Sequence, residues 1–170
     1  MPHSKTHKRS TKTTTSRTAT TRAYTKSNSH THVSGKSSNG YALVVCLLEL
    51  LMSVKFYHWR TSSYSTHKAT DELYGDLNDN IDEFAETLMG VMGSRIPATN
   101  KLHLIIPSDN KHMATLIDKS VKMLSDFDFA KLGKTAGTST TDLMNMRDEM
   151  VGHLHQTLYL LTLNGNKKNY

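Results

Sequence analysis

A single cysteine, Cys46, stands in the 170 residues. Its isolation excludes an intramolecular disulfide framework and any CxxC or zinc-ribbon arrangement, and fits a reducing compartment. Long apolar runs are missing as well. The longest, Tyr41 to Met52, is twelve residues with Glu49 inside it, against the roughly twenty that a bilayer crossing takes. It reads as a buried helix. The first forty residues lack the continuous apolar stretch of a secretory signal, so secretion is not expected. No internal repeat is visible.

Acidic residues are absent from positions 1 to 39, which hold eight Lys or Arg. Positions 40 to 170 hold thirteen basic and fifteen acidic side chains, so the formal charge of +6 comes from the tail. Eighteen of the first 39 residues are Ser or Thr. A stretch of that composition buries too little apolar surface to offset its ordering entropy, which predicts a disordered tail over 1–39 and an ordered domain over 40–170. Lys5, Lys8, Arg9, Lys12, Arg17, Arg22, Lys26 and Lys36 would act as an arm for DNA, each phosphate contact releasing counterions without reading sequence. Two other readings stand beside this one: an organellar transit peptide, which is also basic, Ser-rich and acid-poor, and a solvating tail with no partner.

Beyond Asn39 the apolar spacing is helical. One helix is expected from Tyr41 to about Arg60, apolar nearly all round. A second runs from about Lys68 to Met92, with Leu73, Leu77, Ile81, Phe84, Leu88 and Val91 forming one stripe that Gly93 and Pro97 end. Leu102 to Ile106, in the connection that follows, would be a short helix or strand. A third helix is capped by Ser108 or Asp109 and carries Met113, Leu116, Ile117, Val121 and Leu124. "AKLGKTAGTS" reads as a turn region, and a fourth helix runs from Thr140 or Thr141 to about Leu163. Four long helices with a long link between the second and third predict an all-α four-helix bundle whose crossover is of the ferritin-like kind.

The stretch from Lys55 to Glu86 concentrates the chemistry, with two histidines and seven acidic residues. Asp82 and Glu86 are four apart, so their carboxylates share a helix face and could hold one cation together. Advancing 100° per residue puts both on roughly the opposite side from the apolar stripe. Solvent is the ordinary occupant of such a face, and Asp71, Glu72, Asp76, Asp79 and Glu83 gain no role from this argument.

His58 and His67 bracket the first turn, so a hairpin would bring them near each other. His67 precedes Asp82 by fifteen residues, about 22 Å along a helix. One chain cannot place both sets on one metal. A two-fold dimer with antiparallel helix pairs can, by setting one subunit's histidines against the other's carboxylates. Imidazole and carboxylate ligands with open positions suit iron, and zinc or manganese would also fit. Glu149 and His153 share ligand spacing too, but read as surface or core packing.

"YHW", a following "H", "DELY" and "IDEFAE" together resemble the Dps family, the DNA-binding mini-ferritins. "IPAT" at Ile96 to Thr99 looks like the family's connection after the second helix, and "TTDLMNMRDEMVGHLHQTLYLL" is similar to its last helix. The resemblance covers roughly residues 40 to 163. It implies a ferroxidase centre between subunits, with His58 and His67 as iron ligands and catalytic residues from one subunit and Asp82 and Glu86 from its partner. Trp59 would lie beside that centre and pass electrons or quench radicals, or else simply pack at the helix end. The resemblance further implies a hollow homo-oligomer, a dodecamer built from dimers, that oxidises Fe(II) with hydrogen peroxide or oxygen, stores iron and protects DNA. Such a protein would be intracellular, in the cytoplasm or nucleoid. The rival expectation is a non-catalytic nucleic-acid-packaging or virion-associated protein on the same scaffold.

Overall fold

The computed structural model describes residues 39–99 and 101–163. The DNA-binding arm expected over 1–39 lies outside the described residues but for Asn39. Five helices and no strand occur among them: α1 (Gly40–Arg60), α2 (Tyr64–Met92), α3 (Asn110–Asp126), α4 (Phe129–Ala136) and α5 (Thr141–Thr162).

Side chains fix four of the five starts. Asn39 accepts from the Ala42 amide at 3.2 Å, Ser63 from Thr66 at 3.3 Å, Asp109 from His112 at 2.8 Å and Asp128 from Lys131 at 2.9 Å. Each satisfies one of the amides that a helix N-terminus leaves without an internal partner. Gly93 and Gly137 close α2 and α4 in the left-handed conformation, with φ of +62° and +70°, where glycine alone avoids a Cβ penalty.

Three expectations need correcting. α2 begins at Tyr64 rather than near Lys68, because Ser63 caps it and the polar "YST" then forms its first turn. The stretch read as a turn holds all of α4 but its first residue, and Asp128 caps that helix while Phe129 and Leu132 bury it against the core. The true turn is shorter, from Gly137 to the cap Thr140. Leu102 to Ile106 forms neither helix nor strand.

The helices pack as a bundle. α2 lies against α1, α5 and α4, and α3 lies against α5 and α1. Their shared core includes Leu47, Leu77, Phe84, Leu88, Met113, Ile117, Leu124, Leu143, Met150 and Leu154, all fully buried. The expected α2 stripe is thus the one that packs, except that Val91 is only half-buried. By length and composition α1 is apolar enough to cross a bilayer, but half of that apolar window is buried inside the bundle.

Asn110, the first residue of α3, ties one end of the bundle together. Its Oδ1 accepts from the Tyr57 hydroxyl at 2.6 Å and from Thr66 Oγ1 at 3.2 Å, and its Nδ2 donates to the Leu161 carbonyl at 3.3 Å. One amide therefore joins α1, α2, α3 and α5. Burial pushes the Tyr57 phenol up, and the nearby Asp109 carboxylate adds to the effect against a smaller opposing bond with Thr61. The phenol is held protonated, as a donor to Asn110.

Candidate metal half-site

At the same end, the α1–α2 turn Thr61–Ser63 is only three residues long. That brings the last turn of α1 beside the first turn of α2. His58 and His67 meet there, with ring centroids 3.9 Å apart and planes 24° from parallel. His58 Nδ1 lies 3.0 Å from the His67 carbonyl oxygen, and His67 Nδ1 lies 3.1 Å from the His58 carbonyl oxygen. A carbonyl oxygen only accepts, so each Nδ1 must carry a proton. In the neutral rings both lone pairs are then left on Nε2, the tautomer needed for ligation through that atom.

His58 is 6% exposed, and its Nε2 lies 3.6 Å from Asp71 Oδ1. The buried Thr70 Oγ1 donates to the Thr66 carbonyl at 2.8 Å, the shorter of two carbonyl contacts, and lies 3.2 Å from the His67 carbonyl oxygen and 3.4 Å from His58 Nδ1. Asp71, given no role by its sequence position, is set by the structure against His58. The signal was available: Asp71 follows His67 by four residues, one helical turn, and so shares its face.

Asp82 and Glu86 are exposed on α2, away from the core, as the helical projection required. They are not near the histidines: eleven residues of helix separate Asp71 from Asp82, about 16 Å. Among the described residues no three His, Cys, Asp or Glu side chains form a group that could hold a metal. The chain thus carries the His58–His67 pair, with Asp71 against His58 alone, in one place and Asp82 with Glu86 in another.

The other candidates separate from this corner. Trp59 is 63% exposed, in edge contact with Phe56 at 5.8 Å, so it is not packed away at the helix end. His153 links α5 to α2, with Nδ1 3.0 Å from Asp76 Oδ2 and Nε2 4.0 Å from Glu149 Oε1. The two carboxylates take opposite ring nitrogens, so this trio packs two helices and cannot share one ion. Burial, with Glu49 adding to it, pushes the Cys46 thiol up and keeps it protonated, a poor ligand or nucleophile.

These features define a helical-bundle protein with a paired-histidine corner and a separate carboxylate pair on one long helix. Residues 58–161 match a family of unknown function, DUF5856, and the chain belongs to that family. The matched span begins at His58 and contains both residue sets. A related protein is the uncharacterized 14.6 kDa protein of the mobD–ri intergenic region of Enterobacteria phage T4, 30% identical over 125 residues, which make up 68% of this chain and 85% of that protein. No solved structure matches the chain.

Proposed function

We propose that this protein is a Dps-like mini-ferritin on a ferritin-like scaffold: it binds Fe(II), oxidises it between two copies of the chain, stores the ferric product and protects DNA that its basic arm holds. The observation that carries this reading is the stacked His58–His67 pair, whose Nδ1 atoms are both spent on carbonyls and whose Nε2 atoms are left for a metal, with Asp71 beside that of His58. Asp82 and Glu86 of a second copy would complete the ligand set. Iron is the substrate here. Two Fe(II) each lose one electron to one hydrogen peroxide, and two protons complete two waters. The imidazoles and carboxylates hold both oxidation states, with the anionic oxygens favouring the ferric product.

Anaerobic Fe(II) titration followed by peroxide tests the reading. Ferric absorbance is expected from the intact protein and should be lost in Asp82→Ala. No oxidation by the intact protein would sink it. The arm is tested separately: deleting residues 1 to 39 should abolish salt-sensitive retardation of DNA, and unchanged retardation would reject that role.

The relationship to a phage protein favours a second reading, a nucleic-acid-packaging or virion-associated protein with the same bundle and arm but no ferroxidase activity. Retained DNA binding without Fe(II) oxidation would select it.

A further inference from the structure

The α1–α2 hairpin has a property that neither the metal half-site nor the arm uses. Between Glu49 and Asp71 the sequence holds three cations, Lys55, Arg60 and Lys68, and no carboxylate. None of the three forms a salt bridge among the described residues. The same stretch carries Trp59 and Tyr64 at 63% and 79% exposure, the latter the most exposed large apolar side chain of the described residues. Lys55 joins Trp59 to the next aromatic along α2, with its Nζ 4.0 Å from the centre of the Tyr74 ring and 5.8 Å from that of Trp59. Asp71, the nearest following acid, lies against His58 rather than against a cation.

Aromatic rings kept in water cost free energy unless something covers them. Unpaired cations beside them select an anionic occupant, and flat rings select one with exposed π faces. Single-stranded nucleic acid has both. Its unpaired bases stack on aromatic side chains while its phosphates meet Lys and Arg, without sequence preference. A duplex has the charge, but its bases already stack on one another.

We propose that the α1–α2 hairpin is a binding platform for single-stranded nucleic acid, with Trp59 and Tyr64 stacking bases and Arg60, Lys68 and Lys55 facing phosphates. It rests neither on iron chemistry nor on the arm, which has Tyr24 as its only aromatic residue. The two nucleic-acid surfaces therefore respond to different ligands.

Trp59 is the only tryptophan, so its emission reports on this surface alone in the full-length protein. Oligothymidylate should quench that emission, whereas inorganic polyphosphate of equal charge, which can engage only the cations and the arm, should leave it nearly unchanged. Tyr64→Ser, with intact helical circular dichroism, should weaken the oligothymidylate quenching constant about tenfold, the scale of one lost stacking contact. Equal responses to oligothymidylate and polyphosphate would overturn the proposal. So would an emission that shifts with protein concentration alone, which would mean that a second copy covers the ring. The second result would agree with the two-copy iron centre, which seats a partner's carboxylates at His58 and His67, and neither result would touch retardation by the arm.

Discussion

Two variants that are each inactive should become partly active together. On the proposed two-copy reading, His67→Ala removes a ligand from the histidine half-site and Asp82→Ala from the carboxylate half-site, so each homo-oligomer would lack every complete centre. Metal–ligand bonds are about 2.0–2.6 Å long, so two ligands of one ion lie within about 5 Å of each other. The fifteen-residue rise from His67 to Asp82 is about 22 Å, so the centre must draw on two chains. In a random equal mixture, about half the two-fold pairs carry one of each variant, and each such pair rebuilds one of its two centres. Co-expressing the two chains with different tags should therefore give about a quarter of the wild-type rate in the unsorted mixture, and about half for two-fold pairs isolated as dimers through both tags. Peroxide-dependent appearance of ferric absorbance measures both. His67→Ala with Asp71→Ala is the control: both lesions fall in the same half-site, so no mixture of them rebuilds a centre. Complementation by that control pair, or none by the first pair, would refute the two-copy geometry.

Two further outcomes test the frame that holds the histidine corner. Asn110→Ala should destabilise the fold by about 1–3 kcal/mol in urea denaturation, because the Tyr57 hydroxyl, the Thr66 hydroxyl and the Leu161 carbonyl all lose a partner; Tyr57→Phe, which leaves Asn110 its bond from Thr66, should cost less. Asp109 is held below the usual carboxylate range chiefly by the amide of His112, then by the Ser108 hydroxyl. Its lowered folded pKa means that the cap stabilises α3 above the ordinary Asp pKa and that this contribution fades as pH falls through the folded value. Asp109→Ala should therefore lower Tm near neutral pH, and the gap from wild type should close in acid.

Where sequence reading succeeded and failed follows from the range of the forces involved. The α2 stripe was legible because Leu73, Leu77, Ile81, Phe84 and Leu88 repeat at helical spacing and all pack. The outward aim of Asp82 and Glu86 followed from the same period. α4 was missed because "AKLGKTAGTS" is locally rich in turn residues, whereas the helix is held by an Asp128 cap and by burial of Phe129, Leu132 and Gly133, which depend on distant partners. The meeting of His58 and His67 was legible as a consequence of a short hairpin. Their reciprocal Nδ1 bonds were not, since ring rotation and carbonyl direction are settled only by packing. Asp71 was hidden among seven acids on one stretch until His58 singled it out.

The histidine corner also admits a purely structural account, and the two accounts part at a single atom. The bond from His67 Nδ1 to the His58 carbonyl satisfies one of the last α1 carbonyls, which a helix end otherwise leaves open. Helix capping thus explains Nδ1 and stops there: it requires nothing of either Nε2. Asparagine can donate from roughly the position of Nδ1 but has no counterpart of Nε2, whereas glutamine reaches toward Nε2 and gives up the Nδ1 bond. If the pair only clamps the hairpin, His67→Asn should keep both stability and Fe(II) oxidation. As a ligand set, it should keep the fold in His67→Asn while losing oxidation. The protonation forced on both Nδ1 atoms by the carbonyls is a geometric fact of one chain, and what the Nε2 atoms do with their lone pairs is what His67→Asn reads out.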